Sequence, residues 1–158
     1  MTQRELISRY GDPMESSQAK LEFEKKWMML WVYPTDIASK IPVLGKSIYI
    51  NKEFQPIYEK FLKLLIQRNL HTEINVNDQC FMPRYIRGYE AKKLMSRHTW
   101  AIAVDLNPLD NPLGVSREQA IIKGLKPFTV AFQQAIRDAG LTAGYDFKRI
   151  DGQHLEMK

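Results

Sequence analysis

The sequence contains few of the features that define disulfide-rich, membrane or catalytic-thiol proteins. Its 158 residues include one cysteine, Cys80, which excludes an intrachain disulfide. A nucleophilic role for this thiol would need an activating histidine beside it, so we interpret Cys80 as buried and inert. The longest apolar run, Trp27 to Tyr33, is far too short to span a bilayer, and we expect no integral membrane contact.

The chain also lacks long runs of basic residues. Lysine and arginine number 23 against 18 acidic residues, for a net charge of +5. Such an excess of positive charge suits an acidic partner, which could be a nucleic acid, an anionic membrane or a cell wall. The basic residues are nevertheless scattered, with Lys25–Lys26 and Lys92–Lys93 only as pairs. We therefore expect a solvated basic surface and no nucleic-acid partner.

The N-terminal residues 1–17 contain no apolar stretch of the kind found in secretory signal peptides. We therefore expect no signal peptide. The length fits a single domain over residues 1–158, with a helical part over about 1–70 and a sheet part over about 71–158.

Helical patterns dominate the first part. Phe54, Ile57, Phe61, Leu64 and Leu65 recur at helical spacing, and Pro56 is tolerated in a first turn. The elements predicted here are a helix from Ser16 or Ser17 to about Trp31 with Leu21, Trp27, Met28 and Trp31 on its inner side, a loop over 35–46, a strand over 47–50, and a helix capped by Asn51 that ends near Arg68.

Strand patterns dominate the second part, and their grouping after the helices predicts an α+β fold with a small antiparallel sheet flanked by helices. Pro127 suits a helix start and Gly140 a helix end, with Phe128, Phe132, Ala135 and Ile136 facing inward. The elements predicted here are strands over 72–76, 81–87 and 100–106, a loop over 107–116, helices from about 117 and over 127–140, and one or two strands within 145–157.

Two of the three histidines stand among other residues with chemical potential. His98 lies seven residues before Asp105, and His154 lies three residues after Asp151. His98, Asp105 and His154 could together bind one metal ion, and three protein ligands with one open position are typical of catalytic zinc. Asp151 could then exchange a proton with the metal-bound water. The third histidine, His71, has no assigned role.

The spacing of His98 and Asp105 sets a condition on this hypothesis. On one flat strand, residues seven apart point to opposite faces. The two side chains can meet only if His98 lies in a turn or bulge before the strand and Asp105 lies near its end. The spacing alone leaves open that these histidines are ordinary surface or core residues.

The segment from Ser96 to Asp105 resembles the pattern S-x-H-x-x-G-x-A-x-D of the M15 peptidases, a family that includes D-Ala-D-Ala carboxypeptidases, dipeptidases and phage endolysins. The later segment resembles that family's D/E-x-x-H motif, and Tyr85–Tyr89 is similar to its strand with an arginine before the first ligand. The resemblance covers residues 81–157, and the matching positions are Arg87, Ser96, His98, Ala103, Asp105, Asp151 and His154.

The resemblance implies a role for each matching polar residue. Asp151 would be the general acid and base, and Arg87 would donate to the scissile carbonyl and stabilise its oxyanion; a surface ion pair is the alternative for Arg87. Ser96 would hydrogen-bond substrate or, equally, stabilise a local turn. The implied zinc ligands are His98, Asp105 and His154, although manganese or cobalt could occupy the same donor set.

Ala101 departs from the family pattern, which has glycine there. If the backbone requires a positive φ, alanine is disfavoured; if glycine only gives room, alanine narrows the site by one methyl group. Trp100 and Tyr145 could line the cleft or pack in the core. Glu156 could orient a ligand or face solvent.

The implied function is hydrolysis of peptidoglycan, with the L-Ala–D-Glu bond of the stem peptide favoured and the D-Ala–D-Ala bond as the alternative. A non-catalytic wall-binding phage module is the second class of function. A small, basic domain resembles an endolysin, which would rest in the host cytoplasm until its release to the wall. We expect a monomer with bacterial peptidoglycan as its partner.

Overall fold

The computed structural model describes residues 1–78 and 80–158 and shows an α+β fold with two small antiparallel sheets. The elements, in chain order, are α1 (Gln3–Tyr10), α2 (Ser17–Trp27), β1 (Met28–Val32), α3 (Thr35–Lys40), β2 (Ser47–Asn51), α4 (Gln55–Gln67), β3 (Ala103–Asp105), α5 (Arg117–Ile122), α6 (Val130–Ala139), β4 (Leu141–Ala143) and β5 (His154–Met157).

The first sheet corrects the sequence prediction at the end of α2. The helix begins with Ser16 as its cap but stops at Trp27, and the chain continues as β1, which pairs with β2 in antiparallel register. The helical prediction to Trp31 is therefore wrong, because pairing with β2, whose partner residues lie 15 to 23 positions later in sequence, overrides the local pattern. Leu21, predicted to face inward, is 51% exposed.

The segment 35–46 was predicted as a loop, but it contains α3 and a short 3₁₀ helix. The predicted strand over 47–50 and the long helix after it are confirmed as β2 and α4. Asn51 does not cap α4. Its side-chain oxygen accepts from the Glu53 amide, and its side-chain amide donates to the Trp100 carbonyl oxygen at 3.1 Å. Asn51 thus ties the first sheet to the segment that precedes β3.

One buried cluster of hydrophobic side chains extends through both halves of the chain. Helices α4 and α6 pack together through Phe61 and Phe132, whose rings meet edge to face, and Phe128 stacks on Phe132. Leu6 of α1 and Leu155 of β5 belong to the same cluster. This core supports the second sheet from one side. The division into a helical part over 1–70 and a sheet part over 71–158 stays a prediction.

The second sheet has the strand order β3-β5-β4 with all pairs antiparallel. Of the strand predicted over 100–106 only β3 forms, and β4 was not predicted. The predicted strands over 72–76 and 81–87 are wrong in the part of the chain that the structure describes. Asn107 instead binds the amides of Asn75 and Val76 through its side-chain oxygen.

The segment 107–116 is a loop as predicted, and α5 and α6 follow it. Gly140 ends α6 at a φ of +95°, a conformation that glycine adopts without a steric penalty. Within residues 1–78 and 80–158, none of the helices combines the length and hydrophobicity that crossing a membrane requires.

Candidate metal centre

The position of His98 satisfies the condition set by its spacing from Asp105. His98 lies in a 3₁₀ helix, Arg97–Trp100, immediately before β3, and Asp105 is the last residue of that strand. The Ser96 hydroxyl accepts a hydrogen bond from the His98 amide and caps the turn. The chain leaves the turn through Ala101, which has a φ of +52°.

Ala101 therefore occupies the left-handed conformation that glycine adopts most easily. This finding selects the first of the two interpretations of the departure from the family pattern. A left-handed alanine costs roughly 1–2 kcal/mol, and its side chain is fully buried here. The Ala101 carbonyl oxygen accepts from the Asn51 amide, so the surrounding structure holds the strained residue in place.

Asp105 and His154 meet because they are paired residues on β3 and β5. Directly opposed residues of an antiparallel pair have their side chains on the same face, with Cβ atoms about 5 Å apart. The Asp105 Oδ1 atom lies 2.9 Å from His154 Nδ1. The sheet register thus positions two of the predicted ligands, and the preceding turn positions the third.

The three side chains converge on one point. His98 Nε2 lies 3.2 Å from His154 Nδ1 and 3.2 Å from Asp105 Oδ1, and all three residues are buried. Ligand atoms about 2.0–2.1 Å from a tetrahedral zinc ion are separated by about 3.3 Å. The triangle therefore has the size of one face of a zinc coordination tetrahedron, and this group could hold a metal ion.

The hydrogen bonds behind the two imidazoles fix which nitrogen faces the centre. His98 Nδ1 lies 2.9 Å from the Cys80 carbonyl oxygen, and His154 Nε2 lies 3.0 Å from Glu156 Oε2. A carbonyl and a carboxylate oxygen only accept, so each of these nitrogens donates its proton. The opposite nitrogens then direct lone pairs at each other and at Asp105. Such a cluster requires a proton or a cation, which fits the donor set of a zinc site.

Without a metal, the acidic surroundings favour a proton at this point. Burial lowers the pKa of His154, but the hydrogen bonds from its ring to Asp105 and Glu156 outweigh burial and raise that pKa to about 10. Burial raises the pKa of Asp105, but its hydrogen bonds with His154 and His98 hold that pKa well below the ordinary value. The same site would exchange this proton for a bound metal.

Glu156 lies behind His154 and is itself held by an arginine. Its Oε1 atom is 3.4 Å from Arg97 Nε, and both side chains are largely buried. Burial raises the pKa of Glu156, but the hydrogen bond with His154 and the charge of Arg97 lower it below its ordinary value. Of the two interpretations of Glu156, the geometry supports orientation of a ligand.

Asp151 lies in the turn that precedes β5 and lines the same cleft as Asp105 and His154. Its Oδ1 atom accepts a hydrogen bond from the Gln153 side chain at 3.1 Å, and its carbonyl oxygen accepts from the His154 amide. Gly144 packs so closely that an added Cβ would lie 1.9 Å from the Asp151 carbonyl oxygen. This turn therefore requires a residue without a side chain at position 144.

A cleft of about 650 Å³ opens beside these residues. Its lining includes Arg84, Arg87 and Arg149, and among the described residues none of the three forms an ion pair with a carboxylate. Arg87 is exposed, and its carbonyl oxygen accepts from Arg149 at 2.5 Å. The surface ion pair considered for Arg87 therefore does not form with the described residues, and its catalytic role stays a prediction.

Sequence reasoning missed Arg84. Its Nε atom is buried without a hydrogen-bond partner in the described structure, and the side chain lines the cleft. The Arg84 carbonyl oxygen accepts from the Ser96 amide at 3.0 Å, which places this residue beside the turn that carries His98. The sequence did contain a signal for this residue, because Arg84 as well as Arg87 precedes the first motif.

Of the other residues considered from the sequence, Ser96 lines the cleft and Trp100 and Tyr145 do not. Ser96 lines the cleft and also caps the 3₁₀ helix; its contact with substrate stays a prediction. Trp100 is fully buried and Tyr145 donates to the Asn111 side chain, and neither belongs to the residues that line the cleft. Cys80 is buried, and burial raises the pKa of its thiol, as expected of an inert side chain.

Comparison with known proteins agrees with the motifs. Residues 90–157 match the model of a peptidase family of the M15 group, described as D-alanyl-D-alanine carboxypeptidase. Both motifs lie within the match, whereas Arg84 and Arg87 lie before it. No curated protein and no solved structure showed significant similarity to the chain.

Proposed function

Because residues 90–157 match the model of an M15 peptidase family, we propose that this protein is a zinc-dependent hydrolase of peptidoglycan peptides. The observation that carries the proposal is the convergence of three acceptor atoms from His98, Asp105 and His154 within 3.2 Å of one another. The resemblance to endolysins leads us to propose the L-Ala–D-Glu bond of the stem peptide as the first candidate. The D-Ala–D-Ala bond is the second candidate, and it is the bond named in the description of the matching family.

Zinc in this site would supply a Lewis acid and a bound water with a pKa near 7. The protein's own part in the reaction falls first to Asp151. We assign it the removal of a proton from the attacking water and the delivery of that proton to the departing amine. Gln153 donates to the Asp151 carboxylate and thereby limits the orientations of this group while leaving it a free oxygen.

An arginine would stabilise the charge that develops on the scissile carbonyl oxygen. Arg87 is the residue that the family resemblance indicates, and it lines the cleft. Arg84 is a second candidate, because its buried Nε lacks a hydrogen-bond partner among the described residues and its main chain adjoins Ser96. A preorganised donor of this kind is worth about 3–4 kcal/mol of activation free energy.

Arginines of the cleft offer partners for a substrate carboxylate, in a lining whose four arginines are balanced in number by Asp78, Asp105, Asp151 and Glu156. Arg84, Arg87 and Arg149 face the same space, and stem peptides carry free carboxylates. An arginine without a protein carboxylate partner can bind such a group through two hydrogen bonds. We further propose that the protein acts as a monomer and reaches the wall from the host cytoplasm, as an endolysin does.

The decisive experiment is digestion of purified sacculi by wild-type protein, by protein treated with chelator, and by treated protein after zinc is restored. Mass spectrometry of the released peptides identifies the bond. Loss of activity with chelator and recovery with zinc supports the proposal, with new N-terminal D-Glu indicating the first bond and released D-Ala the second. Wild-type protein that binds sacculi but releases no peptide under any metal would instead support a wall-binding module.

Asp151→Asn is the matched variant for this assay, because it keeps the size of the side chain and removes the proton acceptor. We expect it to bind zinc as the wild type does and to lose at least a hundredfold in kcat, within the range for general acid–base groups. Unchanged activity of this variant would remove Asp151 from the mechanism.

A further inference from the structure

The segment that carries His98 is held by residues from the far end of the chain. Residues 1–14, here called the N-terminal clamp, contact residues 93–100 at several points. The Gln3 side chain accepts from the Met95 amide at 2.8 Å and donates to the Lys93 carbonyl oxygen at 3.2 Å. These two hydrogen bonds join residues about 90 positions apart in sequence.

Further contacts extend the clamp along the same segment. The Met1 carbonyl oxygen accepts from the Arg97 guanidinium, and the Gly11 carbonyl oxygen accepts from Trp100 Nε1 at 2.9 Å. Arg97 and Trp100, the first and last residues of the 3₁₀ helix that contains His98, therefore both donate hydrogen bonds to the clamp. The clamp itself is anchored, because Leu6 and Tyr10 are buried in the core.

Gln3 acts at a point where the backbone needs support. Lys93 has a φ of +52°, a left-handed conformation that a residue with a side chain adopts only when its surroundings hold it. Gln3 binds the carbonyl oxygen of this residue and the amide two residues later. The next amide, that of Ser96, donates to Arg84. These consecutive bonds fix the approach of the chain to His98.

The Met1 contact is connected to His154 through two side chains. Arg97 lies between the Met1 carbonyl oxygen and the Glu156 carboxylate, and Glu156 accepts from His154 Nε2. A continuous series of polar contacts thus joins the clamp to a side chain of the metal centre. Side chains that orient metal ligands from behind commonly change metal affinity 10–100-fold when removed.

We propose that the N-terminal clamp is a positioning element of the metal centre, with Gln3 as its main positioning residue. The inference rests on the proposed metal site, and it assigns a role to residues outside the matched range 90–157. Gln3 holds the segment that carries His98 in the geometry that zinc requires. The clamp therefore contributes to metal affinity and to turnover in addition to stability.

The test compares Gln3→Ala and Gln3→Glu with Arg4→Ala. Arg4 is the exposed neighbour on α1 and serves as the matched control. The Glu variant keeps an acceptor for the Met95 amide and loses the donor to Lys93. Zinc affinity is measured by competition with a chromophoric chelator, kcat and KM on soluble muropeptides at saturating zinc, and thermal unfolding of the metal-free protein by circular dichroism.

We expect Gln3→Ala to bind zinc about tenfold more weakly and to lose several-fold in kcat, with KM within twofold of the wild type. Gln3→Glu should fall between Gln3→Ala and the control. If zinc affinity and kcat of both Gln3 variants equal those of Arg4→Ala, or if only thermal stability falls, the inference is wrong. If Gln3→Ala fails to fold, Gln3→Glu decides. Wild-type protein that binds no zinc would instead overturn the proposed metal site.

Discussion

Replacement of Glu156 by glutamine tests the arrangement behind His154. Glu156 Oε2 accepts the proton of His154 Nε2 at 3.0 Å, and its side chain is only 16% exposed. Glutamine retains an oxygen acceptor but removes the charge. A hydrogen bond to a charged group contributes about 1.5–3 kcal/mol, and one between neutral groups about 0.5–1.5 kcal/mol. The difference, about 1–1.5 kcal/mol, corresponds to roughly tenfold weaker zinc binding.

The assay is a competition titration of zinc against a chromophoric chelator, with Glu15→Gln as the control. Glu15 is exposed, and its replacement changes the net charge of the protein by the same amount. Glu156→Ala, which leaves the His154 proton without an acceptor, should weaken zinc binding further, to about a hundredfold. If Glu156→Gln binds zinc as tightly as the control, the account of how His154 is oriented is wrong.

Three further predictions concern the turn, the cleft and pH. Gly144→Ala should destabilise the protein by more than about 2 kcal/mol in urea unfolding, because its Cβ would lie 1.9 Å from the Asp151 carbonyl oxygen; a loss under 0.5 kcal/mol would contradict this. Arg84→Ala or Arg87→Ala should lower kcat by about a hundredfold or more at unchanged zinc affinity, and the arginine whose removal does so supplies the oxyanion donor. If neither variant changes kcat, neither arginine has this role. In the metal-free protein the raised pKa of His154 contributes stability that is fully present below pH 6.5 and is lost as the pH rises through about 10. Urea unfolding with chelator should therefore show a falling free energy of unfolding over this range, and the same fall in His154→Gln would contradict the assignment.

The motifs predicted which three side chains converge, because a metal site of this kind depends on few residues at fixed spacing. On one flat strand His98 and Asp105 would point to opposite faces, so the metal-site hypothesis required a turn or bulge before the strand, and the structure contains a 3₁₀ turn there. The positive φ of Ala101, in the same segment, was one of the two alternatives that the family pattern suggested. The roles of Gly144 and Arg84 were not predicted, because the close packing of Gly144 and the absence of a partner for the buried Arg84 Nε among the described residues are properties of the folded chain.

Elements that depend on distant contacts could not be predicted from local patterns. The segment Met28–Val32 is a strand because β2 pairs with it, although its residues continue a helical period. The segment 72–76 carries strand-forming residues, but the Asn107 side chain takes the hydrogen bonds of the Asn75 and Val76 amides that a neighbouring strand would have made. In the segment 81–87, strand pairing with another described segment is limited to an isolated antiparallel bridge between Tyr85 and Met95. The contacts of Gln3 with Lys93 and Met95 could not be predicted either, because no sequence pattern links residues so far apart in the chain.

The central claim is tested most directly by the release of new amino groups from purified sacculi as metal-free protein is titrated with zinc. The account predicts no release without metal, a linear rise in rate with added zinc, and saturation at one zinc ion per chain. We proposed His98, Asp105 and His154 as the metal ligands, and His154→Ala should therefore abolish this rise. Release that is independent of zinc, or no release at any zinc concentration, would contradict the account.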